Sequence, residues 1–170
     1  MRQLRLTIAA LLLMAPFAAS ADPIELEAVI NGSQANAGVG TGSTATGFAA
    51  INFDNATNLL SWNVSWSGLL GTLIAAHFHG AAGPNANAAV QIFFLDIAPG
   101  NPSIGSIAIT DGQATDLLAG MWYINIHSTR NQGGEIRGQI RRVTVPEPSA
   151  LALLGLGLFG LGLAKRNQKV

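Results

Sequence analysis

His77 and His79 are separated by a single phenylalanine, and the chain of 170 residues has only one other histidine, His127, and no cysteine. Side chains alternate along a strand, so residues two apart point to the same face. Two imidazoles on one strand face, joined by a third from another strand, suit zinc or copper(II). A copper–zinc pair is excluded on count, because three imidazoles leave none to bridge two ions. The same spacing recurs twice more. Tyr123, Asn125 and His127 share a face opposite Ile124 and Ile126, and Glu135, Arg137 and Gln139 share one opposite Ile136 and Ile140. If the three strands are neighbours, the histidines converge with Glu135 and Arg137.

Three chemistries stay open for this patch: a mononuclear copper or zinc site, a polar patch in which the histidines bond Glu135, Asn125 or backbone, and catalysis. Arg137 either clamps an anionic ligand bidentately or pairs with Glu135 and orders the patch. Nucleophilic catalysis has little else to use. There is no Gly-x-Ser-x-Gly elbow and no cysteine. Gly38 to Gly42 lacks the Gly-Lys-Thr/Ser ending of a phosphate loop. Trp62, Trp66 and Trp122 are candidates for a sugar-stacking platform, but Trp62 and Trp66 fall on the apolar face of their segment and are expected in the core.

The elements that must position these residues read as strands. Ile24 to Ile30 alternates apolar with charged residues. In 58–66, Leu60, Trp62, Val64 and Trp66 oppose Ser61, Asn63 and Ser65. Further strand-like runs lie near 47–53, 71–79, 89–95, 104–109, 121–127 and 135–143. Residues 31–47 are rich in Gly, Ser, Asn and Thr and suit an irregular crossing. Thr110 to Gly120 alone predicts a short helix, with Thr110 and Gln113 as a capping box and Gly120 as its stop. The expected fold is all-β: an antiparallel, Greek-key-like sandwich or barrel of about 7–8 strands with one short helix.

Both ends differ from the body. Residues 1–21 have Arg2 and Arg5, an apolar stretch from Leu6 to Met14, and a small-x-small site at Ala19 and Ala21, the pattern of a signal peptide cut by signal peptidase. Ala150 to Ala164 is an apolar run followed by Lys165, Arg166 and Lys169. Fifteen helical residues reach about 22 Å against a hydrocarbon core of roughly 30 Å. With local thinning such a run spans the inner membrane, its basic end inside. All nine acidic residues lie from Asp22 to Glu147, together with only four of the nine basic ones, so that stretch carries a formal charge of 4 − 9 = −5. It has no lysine, which argues against a nucleic-acid partner.

Two resemblances follow from these residues. Pro146-Glu147-Pro148, the run 150–164 and the basic tail resemble the PEP-CTERM sorting signal of Gram-negative bacteria, over residues 145–170. This implies cleavage by an exosortase and delivery to the cell surface or an exopolysaccharide matrix. His77-Phe78-His79-Gly80, Tyr123-Ile124-Asn125-Ile126-His127 and Gly134-Glu135-Ile136-Arg137-Gly138-Gln139-Ile140 resemble the CHRD domain, over residues 22–144. His127-Ser128 stands where that family usually has His-Thr, and keeps the hydroxyl. The resemblance implies an exported β domain with no agreed reaction. The expected function is a non-enzymatic surface or matrix module that binds exopolysaccharide or surface proteins, the alternative being a copper- or zinc-binding domain with redox activity.

Overall fold

Alternation sets the first three strands of the computed structural model, which describes residues 23–143. β1 (Ile24–Asn31) buries Leu26, Ala28 and Ile30 and turns Glu25 and Glu27 outward. β2 (Thr46–Asp54) buries Ala49, Ile51 and Phe53, and β3 (Leu59–Ser67) buries Leu60, Trp62, Val64 and Trp66. Both tryptophans therefore sit in the core, as does Trp122, and none forms an exposed stacking platform. The chain continues through β4 (Leu73–His79), β5 (Val90–Ile92), α1 (Phe94–Ile97), β6 (Ser103–Ala108), α2 (Asp111–Leu118), β7 (Tyr123–Ser128), β8 (Ile136–Gln139) and the two-residue β9 (Arg141–Arg142).

All pairings are antiparallel. The strands form one sheet in the order β5-β4-β7-β8-β1-β2-β3-β6, with β9 also paired to β1. The sheet curls around a single apolar core, so the architecture is a half-barrel rather than two stacked sheets. Its two edge strands, β5 and β6, are consecutive in the chain and joined through α1, which packs against β4 and β6. The Phe94 ring lies 5.1 Å from that of Phe78 and 6.4 Å from that of Trp62, filling the space between the edges.

The strand expected over 89–95 accordingly ends at Ile92, and the fold has a second helix. Continued as an edge strand, the segment would not carry Phe94 into the gap. Helix α2 forms as expected. The Thr110 hydroxyl accepts from the Gln113 amide at 3.2 Å, and Gln113 Oε1 accepts from the Thr110 amide at 2.9 Å. Gly120, at φ +73°, lets its own N–H reach Leu117 O and that of Met121 reach Asp116 O, a left-handed stop.

β7 and β8 break the alternation. Every residue of β8, and all of β7 but half-buried His127, is buried, because the connection from Gly80 to Ala89 lies over their outer face. That cover belongs to the candidate site. Among the described residues no helix is long and apolar enough to cross a membrane. The expected signal peptide, Pro146-Glu147-Pro148 and the apolar run 150–164 lie outside the described residues.

Candidate metal centre

The three polar stripes are adjacent, because β7 lies between β4 and β8. His77 stands opposite Asn125, which stands opposite Arg137. His79 faces Tyr123, which faces Gln139. Ala75 is opposite His127, and its small side chain leaves the His127 ring room to lean toward β4. The rings of His77 and His127 are 5.0 Å apart, those of His77 and His79 5.5 Å, and those of His79 and His127 6.2 Å. One ligand nitrogen from each lies within 4.8 Å of the other two.

The hydrogen bonds say which nitrogens are free. His79 Nδ1 bonds the Ala88 carbonyl at 3.0 Å, and His127 Nδ1 bonds the Gln132 carbonyl at 2.8 Å. A carbonyl only accepts, so both Nδ1 atoms carry a proton, and in the neutral form of each ring the lone pair is on Nε2. His79 Nε2, His127 Nε2 and His77 Nδ1 are buried with no hydrogen-bond partner. A ligating histidine ordinarily has its second nitrogen bonded to a carbonyl or carboxylate in this way. Nitrogens about 2.0–2.1 Å from one ion are at most about 4.2 Å apart. From 4.8 Å, closure needs movements below about 1 Å. None of the three histidines bonds Glu135 or Asn125, although two bond backbone.

Arg137 and Glu135 do not pair. Arg137, 1 % exposed, donates to the carbonyls of Ala86 and Gly83, each at 2.9 Å, to Asn87 Oδ1 at 3.3 Å and to Gln139 Oε1 at 3.1 Å. Its guanidinium carbon lies 3.5 Å over the Tyr123 ring. Those neutral oxygens occupy the donors that a bidentate anion would need. Glu135 precedes β8 and follows Gly134, whose φ is +119°, so strand alternation does not reach it. Its carboxylate turns away from the histidines and accepts from Ser43 Oγ and Leu70 N, each at 2.7 Å, and from Ser128 Oγ. Burial alone would raise the Glu135 carboxyl. These donors outweigh it and hold the group below its ordinary value.

Arg137 instead positions His79. By pinning Gly83 and Ala86 it fixes the loop that carries Ala88. The Ala88 amide donates to Tyr123 Oη at 3.0 Å, and the Tyr123 ring stacks on His79 at 4.9 Å and 8°. Sequence reasoning missed the carbonyls of Ala88 and Gln132 because backbone partners leave no side-chain signal; the only hint was the turn-forming Gly83-Pro84-Asn85. Replacing Arg137 with methionine strands the two carbonyls and is expected to destabilise the fold by about 3 kcal/mol. The His79 ring should also lose its single tautomer, which 15N shifts of the imidazole report. An unchanged tautomer would contradict the positioning role.

Burial, and then the nearby His127 and His79, push His77 down from 6.5 to about 4; burial also lowers His79. Both are therefore neutral and ligand-ready at pH 7. An unfolded chain protonates its histidines near 6.5 while the folded chain resists, so stability is full above that value and declines from there toward pH 4. Urea melts between pH 7 and 4.5 should show the decline, and His77→Gln should reduce it. A flat profile would contradict the burial account.

The family model for the CHRD domain matches residues 26–140, and that for the PEP-CTERM protein-sorting motif matches residues 144–166. Comparison with curated proteins and with solved structures returned no match. The sorting motif implies processing by an exosortase and export to the cell surface by way of the membrane. All three histidines, with Arg137 and Glu135, lie within the first match, which spans well over half of the chain: the chain belongs to the CHRD domain family.

Proposed function

We propose that this protein is an exported surface or matrix module that binds one copper or zinc ion through His77, His79 and His127. Two observations carry this together: one ligand nitrogen from each of the three histidines lies within 4.8 Å of the other two, and each ring has a buried nitrogen with no hydrogen-bond partner, two of the rings being bonded through Nδ1 to carbonyls. Burying three such acceptors together is costly unless something binds them. Borderline ligands of this type suit Cu(II) and Zn(II) better than calcium or magnesium. The domain acts by binding rather than by catalysis. Signal peptidase cutting after Ala21, the run 150–164 resting in the inner membrane, and an exosortase acting on the tail would deliver it. Contact with exopolysaccharide or surface proteins fits that destination.

The test is metal content. Residues 22–143, prepared without a histidine tag, should bind one equivalent of copper or zinc. At an ion concentration about 100 times the Kd, the bound metal should stabilise the fold by about 2.7 kcal/mol, seen as a rise in Tm. Substoichiometric metal with no rise in Tm would refute the proposal.

A further inference from the structure

We propose that the bound ion carries a fourth, exchangeable ligand, a water molecule that small anions displace, and that Asn125 holds it by a hydrogen bond. This rests on the metal reading above. The chain has no cysteine and no fourth histidine. Among the described residues the cluster comprises the three histidines alone. Glu135 is turned to Ser43, Leu70 and Ser128, so it supplies no ligand. Three protein ligands leave a tetrahedral ion one position for solvent or substrate.

Asn125 marks that position. It stands opposite His77 and two residues from His127 on the same strand, and it is 8 % exposed. Its Nδ2 donates to the Gly133 carbonyl at 3.1 Å, which fixes the amide's orientation and leaves Oδ1 buried with no donor. Gly134 forms the floor: a Cβ there would fall 2.1 Å from Oδ1. A buried acceptor without a donor is rare. Here it belongs to a residue opposite His77 and two positions from His127, both of which also carry a buried nitrogen without a partner. A ligand that gives its lone pair to the ion and a proton to Oδ1 satisfies both. The rim is accessible, because the Phe93 ring packs 4.8 Å from His77 and is 53 % exposed.

The probe is azide, titrated into the copper(II)-loaded domain and followed by its charge-transfer absorbance. Azide brings no proton, so displacing water from the wild-type protein forfeits the bond to Asn125. Asn125→Leu removes that bond from the starting state, and azide should bind about tenfold more tightly. Asn125→Asp is nearly isosteric and adds a negative charge, and azide should bind more weakly. A residue that only shapes the site would move both variants in the same direction. Copper bound without any azide complex would overturn the exchangeable position, and equal azide affinity in all three proteins would overturn the role of Asn125. A protein that takes up neither copper nor zinc would fail the metal reading itself, and this inference with it.

Discussion

Replacing His79 with phenylalanine is expected to abolish metal binding while leaving the domain folded. In the proposed site His79 contributes one of three ligand nitrogens, and its ring stacks on Tyr123. Phenylalanine keeps a ring on that stack and removes both nitrogens, so the two contributions separate. Loss of an outer-shell partner typically costs 10–100-fold in metal affinity. Loss of the ligand itself should cost more than about 100-fold. Isothermal titration, or competition against a chelator of known affinity, reads the change, and melting in the presence of chelator reads stability alone. His77→Ala and His127→Ala should behave alike. Undiminished affinity in any one of the three would remove that residue from the site.

Replacing Glu135 with alanine is expected to be the most damaging single change to stability. Its carboxylate gathers Ser43 from the long β1–β2 connection, the Leu70 amide from the β3–β4 connection, and Ser128 at the end of β7. Its backbone carbonyl also accepts from Thr41 Oγ1 at 2.7 Å. Alanine removes a fully buried carboxylate and leaves three donors without their acceptor, that of Ser128 buried and those of Ser43 and Leu70 partly so. Each stranded donor costs about 1–3 kcal/mol, so the total is at least about 3 kcal/mol of a typical 5–15 kcal/mol. Tm should fall by about 15 °C. Metal affinity should not change once the variant is folded, because the carboxylate faces away from the histidines. A milder fall, or a parallel loss of affinity, would contradict this placement. In the intact protein the depressed carboxyl stabilises the fold above its ordinary value of 4.5, and that stability is lost as pH falls below it toward the folded value. This acid limb begins near 4.5, where most of the histidine limb that starts at 6.5 is already complete.

The stretches that sequence described well are those where one physical rule acts alone. Leu60, Trp62, Val64 and Trp66 alternate because one face of β3 meets the core and the other meets water. Helix α2 carries its start and stop in Thr110, Gln113 and Gly120. The proximity of His77, His79 and His127 follows from the same alternation once β4 and β7 are paired, and sequence could only suppose that pairing. What escaped was set by tertiary contacts. Phe94 leaves strand geometry to fill the space between the edge strands. Gly134 ends the alternation two residues before β8 and sends Glu135 to the opposite side from Arg137. Arg137 is held by carbonyls, which any residue could have supplied. The hydroxyl kept at Ser128 found its partner in Glu135, a contact that the family resemblance did not specify.

In the proposed site three nitrogens, one from each histidine, hold one ion. Anomalous diffraction at the copper or zinc edge, from crystals of residues 22–143 grown with that metal, tests it directly. A single peak is expected about 2.0–2.1 Å from His77 Nδ1, His79 Nε2 and His127 Nε2. A metal-saturated crystal with no peak there, or with its peak at another set of side chains, would contradict it.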